Sequence, residues 1–546
     1  MDKKRSILNV SIAIITKVIL LIFSLLLRRL LINNVGNDVN GLYSLYTSII
    51  SFLSIAELGV GTAINFSMYK PIVQGDTKKV AALYNLYKKV YMVIGAIILV
   101  VGAALMPALP ALAKDYSNSA NLYLTFGFML ASVVIDYAYS SKTSLINAHK
   151  NNYVTTLIES VCTIFRRVVQ LLILIFFRSF ELYLVAKIAA SLLQWLLTEI
   201  YTRIKYKNLI ITKEKIDEQT KKEVVKNTKA MFLHKISGIL VNATDSIIIS
   251  AFIGVIVLGK YSNYLTIMTA MTSILTLFFT PLTAIIGHLC AEGNLSEKKK
   301  YFRFMYFFNF TIGIIFFLGY YAVIDDLIAI MFGADLVMDW TVPLIITINY
   351  FIQFMRQTVL LYRDATGSFY YDRWQPVISA VLNIILSLLF VNWFGVVGVI
   401  VATIVTNLFV THLMNPYVLY KYGFDGEKPM KYYLLNYGLI LVFCGALAVL
   451  HFVMQTNANL WVEFVINGFI AVGIAFVPLV CLLVFSKTYR ENTKKLFKKF
   501  GGLFKRRRAK FASESEFSCE NSQNLTENVE QAEENSQGEI DENNKS

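Results

Sequence analysis

Apolar windows of about twenty residues recur about fourteen times along this chain, each long enough to cross a bilayer core as a helix. The first seven fall near 7–32, 42–66, 90–113, 121–145, 155–177, 182–202 and 230–253. The remainder lie near 261–286, 303–324, 341–362, 374–393, 396–418, 432–454 and 463–486. Inside lipid every backbone polar group must be satisfied within the protein, which leaves helices or a closed barrel, and windows of this length select helices. Only 16% of the 546 residues are charged and 56% are hydrophobic, more apolar surface than a soluble core can hide. The sequence therefore predicts an all-α polytopic membrane protein. The first window is too long for a signal peptide and has no small-residue cleavage site, so it is expected to stay as the first span.

Orientation follows from the connections. About forty Lys and Arg residues lie on the side shared with the N-terminus, against Lys114, Arg178 and Lys260 on the other. Both termini are expected in the cytoplasm of a bacterial cell, with the protein in its plasma membrane. The net charge of +15 then faces anionic lipid headgroups, and nucleic acid is not expected as a partner.

The chain also repeats itself. "GNDVNGLYSLYTSI" (36–49) set over "GVIVLGKYSNYLTI" (254–267) agrees at seven of fourteen positions, with a constant offset of 218. The same offset pairs Gly75 with Gly293, Gly95 with Gly313 and Lys17 with Lys235. It carries span 1 onto span 7, so the unit is six helices. An even-numbered unit returns to its starting side, which makes the two copies parallel. The expected organisation is a six-helix lobe over 1–202, a cytoplasmic connection over 203–229 and a second lobe over 230–418. Two further helices occupy 419–486, a basic juxtamembrane segment 487–511, and a tail without hydrophobic periodicity, expected to be disordered, 512–546.

Charges inside the spans point to function. Lys17 lies near the middle of span 1, on one stripe with Ser24 and Arg28. Lys235, Asn242 and Ser246 form the matching stripe on span 7, with Asp245 at its edge. Glu159, Arg166 and Gln170 share a face of span 5, with Arg167 beside it; Asn349, Arg356 and Arg363 align on span 10. Asp136 lies on a polar stripe of span 4, and Glu57 on span 2. Pairs such as Lys17 with Glu57, or Arg166 with Glu159, would be structural glue. The cations Lys17, Arg28, Arg166, Arg167, Lys235 and Arg356 nevertheless outnumber Glu57, Asp136, Glu159 and Asp245, which are left as coupling or ion-pair candidates. Intramembrane ionisable groups default to functional sites. The surplus suggests a hydrated cavity, positive at mid-membrane, that binds an anionic cargo.

Signals of enzymatic chemistry are thin. Histidines 149, 234, 288, 412 and 451 have no metal-ligand spacing, and the five cysteines are scattered. No GxxxxGK[ST] loop is present. Neither a cofactor nor a metal is expected, and the chain reads as a non-enzyme.

The segment "LLRRLLINNVGNDVNGLYSLYTSIISFLSIAELGVGTAINFSMYKPIVQGDTKKV" resembles the Wzx-type polysaccharide flippases. These form the polysaccharide-transporter branch of the multidrug/oligosaccharidyl-lipid/polysaccharide (MOP) exporter superfamily. The later "GKYSNYLTI" and "FTPLTAIIGHLCAEGN" fit the same pattern, and the resemblance covers roughly residues 1–486. It implies a two-lobed carrier that moves undecaprenyl-pyrophosphate-linked oligosaccharides to the outer leaflet by alternating access, with other polysaccharide assembly proteins as possible partners. A multidrug or cation antiporter of the same superfamily would favour an acidic cavity. A membrane polymerase would need acidic catalytic residues in a sizeable outside loop, and the longest here, "DDLIAIMFGADLVMDW" (325–340), reads as an interfacial segment.

Overall fold

The computed structural model describes residues 21–57, 60–116, 119–212, 214, 216, 218, 243–292, 294–368, 371–454, 459–485 and 490–491. Lys17, Lys235, most of the 203–229 connection, nearly all of the basic segment and the whole C-terminal tail lie outside them.

The described residues are predominantly helical, with no strand among them. The first half contains α1 (21–34), α2 (Asn37–Leu53), α3 (Val60–Val73), α4 (Thr77–Leu105), α5 (Ser119–Ala148), α6 (Asn152–Phe176) and α7 (Phe180–Lys205). The second contains α8 (Ala243–Ile253), α9 (Val255–Glu292), α10 (Leu295–Phe332), α11 (Thr341–Met355), α12 (Gln357–Ala365) and α13 (Gln375–Thr406). After them come α14 (His412–Val418), α15 (Met430–Val453) and α16 (Leu460–Phe485). Eight of the described helical stretches are long and apolar enough to cross a membrane by length and composition, and the other apolar helices bring the total to about fourteen. The longest stretch is two passes: at Gly395 (φ 57°, ψ −134°) the chain turns back on itself, and Asn383 reaches Thr403 across the hairpin at 2.8 Å.

Several helices run past their apolar windows because side-chain caps sit in the polar connections. Asp76 accepts the Lys79 N–H at 2.9 Å, and Asn294 accepts that of Glu297 at 2.9 Å. Span 2, expected unbroken over 42–66, is interrupted. A 3₁₀ turn over Ser54–Glu57 separates α2 from α3. Glu57, at the end of that turn, lies against the hydroxyls of Tyr91 and Tyr137. Much of the segment 325–340 is helix: α10 continues to Phe332, and Tyr264 donates to Asp325 at 2.7 Å.

Packing groups Met1–Phe476 as one compact unit; the other, Val477–Ser546, includes among its described residues the last turns of α16. Within the first unit, α2–α7 pack mainly on one another, as do α9–α15, and the main seam between these sets is α2 against α9.

The repeat has a backbone counterpart at that seam. Gly36 and Gly254 precede α2 and α9 with nearly the same left-handed conformation, φ 131° and 142° with ψ 157° in both. That region favours glycine because a Cβ would clash. The repeat partners Gly41 and Gly259 then let the two helices touch. A Cβ on Gly41 would sit 1.9 Å from the Val255 carbonyl oxygen, and one on Gly259 2.6 Å from that of Asn37. Asn40 spans the seam to the Gly259 carbonyl (3.1 Å) and to Asn263 (3.2 Å), while Asn37 donates to the Ile256 carbonyl at 2.9 Å. The Lys114 carbonyl accepts the Val255 N–H at 2.9 Å near the same end.

Candidate functional site

Inward from this seam lies a cavity of about 320 Å³ whose walls come from α1, α2, α6, α7, α8 and α9. It is lined by three arginines, Arg28, Arg166 and Arg167, together with hydroxyls, amides and the rings of Tyr43 and Tyr183; among the described residues no carboxylate lines it. Local sequence explains the convergence. On α6, Arg166 and Gln170 are four residues apart and share a face, while Phe165, Val168 and Leu172 point away and are exposed. On α2, Asn40, Ser44 and Thr47 follow the same spacing while Leu42, Leu45 and Ile49 are buried.

Arg28 holds the cavity together. Its Nε donates to Asn40 Oδ1 at 2.9 Å, and Nη2 to Ser44 Oγ at 3.3 Å and Ser262 Oγ at 2.5 Å. Nη1 donates to the Ser262 carbonyl at 2.8 Å and to Thr266 Oγ1. All five guanidinium contacts end on neutral oxygens, so geometry satisfies the donors while the charge stays uncompensated. The buried Nε of Arg167 has no hydrogen-bond partner. Arg28, Arg166 and Arg167 thus bring three positive charges to one cavity.

The acidic residues lie elsewhere. Asp136 and Glu159 line an adjoining cavity of about 230 Å³ that shares Arg166 with the first. Arg166 and Glu159 form no ion pair among the described contacts: seven residues separate them, about 10 Å along the helix. Arg356 is not in the arginine cavity. It sits at the junction of α11 and α12 with its Nε buried and unpartnered, in electrostatic reach of Arg363, Asp372 and His412. There Arg363 pairs with Asp372 at 2.8 Å, and Asp372 also accepts from Asn415 at 2.8 Å.

Asp245 occupies a separate buried centre in the second half. Its Oδ2 accepts from Thr403 Oγ1 at 2.9 Å, and Thr403 also receives the Asn383 amide. Three buried oxygens here have no hydrogen-bond partner: Asp245 Oδ1, Asn383 Oδ1 and Ser387 Oγ. Asn383 and Ser387 are one turn apart on α13 and face the same way. One carboxylate among neutral oxygens suits a hard monovalent cation or a proton, not a soft transition metal. No cluster of three His, Cys, Asp or Glu exists among the described residues.

Lys187 on α7 is a further intramembrane cation that the sequence reading passed over. Its ammonium lies 3.0 Å from the Met129 sulfur and within electrostatic reach of Asp136 and Tyr43. The signal was present, since Tyr183, Lys187, Gln194 and Thr198 fall on one face of span 6. Lower on the same helix, Glu199 pairs with Lys142 and, at 2.5 Å, with Arg203.

No protein-family model and no curated protein matches this sequence. Solved structures do match. A multidrug resistance MATE family transporter of the MOP superfamily, in an inward-facing conformation, aligns with a TM-score of 0.55 at 12% identity, covering 77% of this chain and 94% of its own. The lipid II flippase MurJ, in an inward closed conformation, aligns with a TM-score of 0.53 at 14% identity, covering 82% and 97%. The fold of the described residues is the one these two transporters share, and eight of its helical stretches are long and apolar enough to cross a membrane.

Proposed function

We propose that this protein is a flippase for an anionic lipid-linked glycan, of the undecaprenyl-pyrophosphate-linked oligosaccharide class, working by alternating access across a bacterial plasma membrane. The observation that carries this reading is the cavity itself: three arginines, no carboxylate among its described lining residues, and a fold similar to both a lipid II flippase and a multidrug resistance transporter. A carrier of cationic drugs would gain from the opposite polarity, because like charges at a desolvated site reject the cargo. A polymerase would need catalytic carboxylates in a sizeable exposed loop, and the first half of the acidic segment 325–340 is a continuation of α10, which leaves only a short connection after Phe332.

With both termini cytoplasmic, the α2–α9 seam closes the outer end, and the cavity beneath it receives cargo from the inner leaflet. Arg28, Arg166 and Arg167 replace the water that a pyrophosphate loses on entering the membrane. Lys17 and Lys235, expected on the first helix of each lobe, add to the same field. Asp245, with Asn383, Ser387 and Thr403, is the coupling centre, where binding a cation or proton neutralises a buried carboxylate in the second half.

The test is transport of a fluorescent undecaprenyl-pyrophosphate oligosaccharide between leaflets of proteoliposomes. Wild-type protein should move it. Asp245→Asn, which mimics the neutral carboxyl, should slow ion-driven transport about tenfold or more while leaving binding of the pyrophosphate lipid within about twofold. Wild-type vesicles no faster than protein-free ones would refute the flippase reading.

A further inference from the structure

The arginine cavity is the first of three in series. Arg166 lines both it and the second cavity, and Glu159 and Gln194 line both the second and a third of about 260 Å³. The three form a continuous trench along the polar face of α6, opposite α5 and α7. From Arg166 to Asn152, which lines the far cavity, is fourteen residues, about 21 Å of helix. The chemistry changes along that length. Beyond Arg166 the described lining of the two further cavities includes no lysine or arginine, and their polar walls are hydroxyls, primary amides and the carboxylates Asp136 and Glu159.

These groups are held in place. Thr155 donates to Asn147 Oδ1 at 2.7 Å, and Tyr139 to Asp136 Oδ1 at 3.0 Å. The Glu159 carboxylate makes no described hydrogen bond or ion pair and is exposed to the trench. A carboxylate accepts two donors side by side, which suits neighbouring hydroxyls, and amides and threonines can donate or accept as needed. Lys187 and Arg166 offset the charge of Asp136 at the arginine end, whereas toward Asn152 the carboxylate of Glu159 faces only neutral groups among the described lining residues, so a second anion gains nothing there.

We infer that this trench between α5, α6 and α7 is a subsite for the uncharged sugars of the cargo, running from the pyrophosphate at Arg166 toward Asn152. The inference rests on the proposed flippase function and narrows its substrate to glycans whose first sugars are neutral. Glu159 and Gln194, shared by the two outer cavities, are the residues that bind them.

Binding of two probes to purified protein, measured by native mass spectrometry, tests this. One is undecaprenyl pyrophosphate; the other is the same lipid bearing a neutral trisaccharide. Wild-type protein should bind both, the glycosylated lipid more tightly. The double variant Glu159→Ala, Gln194→Ala should lose about tenfold or more in affinity for the glycosylated lipid and leave the bare pyrophosphate lipid unchanged. Thr156→Trp, which fills the third cavity without removing its other polar groups, should give the same selective loss and carries the test if the double variant fails to fold. An equal loss for both probes, or no loss for either, overturns the trench while leaving the arginine cavity standing. Wild-type protein that binds neither probe overturns the flippase reading and the trench with it.

Discussion

Arg28→Ala is expected to lower transport at least about a hundredfold while the protein still inserts and accumulates. Hydrogen bonds to a charged group are worth about 1.5–3 kcal/mol each. A bound pyrophosphate would displace some of the neutral oxygens to which this guanidinium now donates, so alanine loses both those exchanged bonds and the charge. Folding should survive because the residues Arg28 touches keep other partners. Asn40 retains the Gly259 carbonyl and Asn263, Ser44 the Asn40 carbonyl, Ser262 the Gly259 carbonyl, and Thr266 the Ser262 carbonyl. Removing a charge from a spanning segment also eases insertion. Arg28→Lys should recover part of the activity, since it restores the charge without the planar fork. Expression, thermal melting and leaflet-exchange assays on the same preparations separate these effects. An alanine variant that transports normally would remove Arg28 from the site.

The second large effect is conformational. Gly41→Val should break the contact between α2 and α9, because the new Cβ would overlap the Val255 carbonyl oxygen at 1.9 Å and approach the Gly259 nitrogen at 3.0 Å. These neighbours are backbone atoms, so no rotamer change relieves the overlap. Overpacking of this kind costs about 1–3 kcal/mol, enough to shift a balanced two-state equilibrium about tenfold toward the state in which the seam is apart. Cysteines at Asn40→Cys and Asn263→Cys report the outcome. They should cross-link readily with Gly41 intact and poorly beside Gly41→Val. Unchanged cross-linking would mean that the seam does not open in the cycle.

Much of this architecture was legible in the sequence. The apolar windows located the helices, and the 218-residue register located Gly36 with Gly254 and Gly41 with Gly259, whose backbone conformations and mutual contact follow from their lack of a side chain. Stripe analysis found Arg28 and Arg166 because helical periodicity fixes which side chains share a face. Tertiary partners were less accessible. Glu159 and Arg166 share a face, but the two turns between them forbid a direct ion pair. Arg356 has the same residue type and depth signal as the cavity arginines, yet its helix breaks at that position and holds it near Asp372 and His412. The 3₁₀ turn at Ser54–Glu57 sets Glu57 against tyrosines from two other helices, and the oxygen cluster around Asp245 needed a hairpin at Gly395 to bring Asn383 to Thr403. No single-helix pattern encodes contacts of that kind.

The central claim is that the cavity recognises negative charge on a lipid. Its most direct measurement compares the affinity of purified protein for undecaprenyl pyrophosphate and for undecaprenol, with inorganic pyrophosphate as competitor. The arginine cavity predicts that the pyrophosphate lipid binds about tenfold or more tightly, that rising salt erodes the difference, and that inorganic pyrophosphate competes. Equal affinity for the two lipids, or preferential binding of a lipophilic cation, would contradict it.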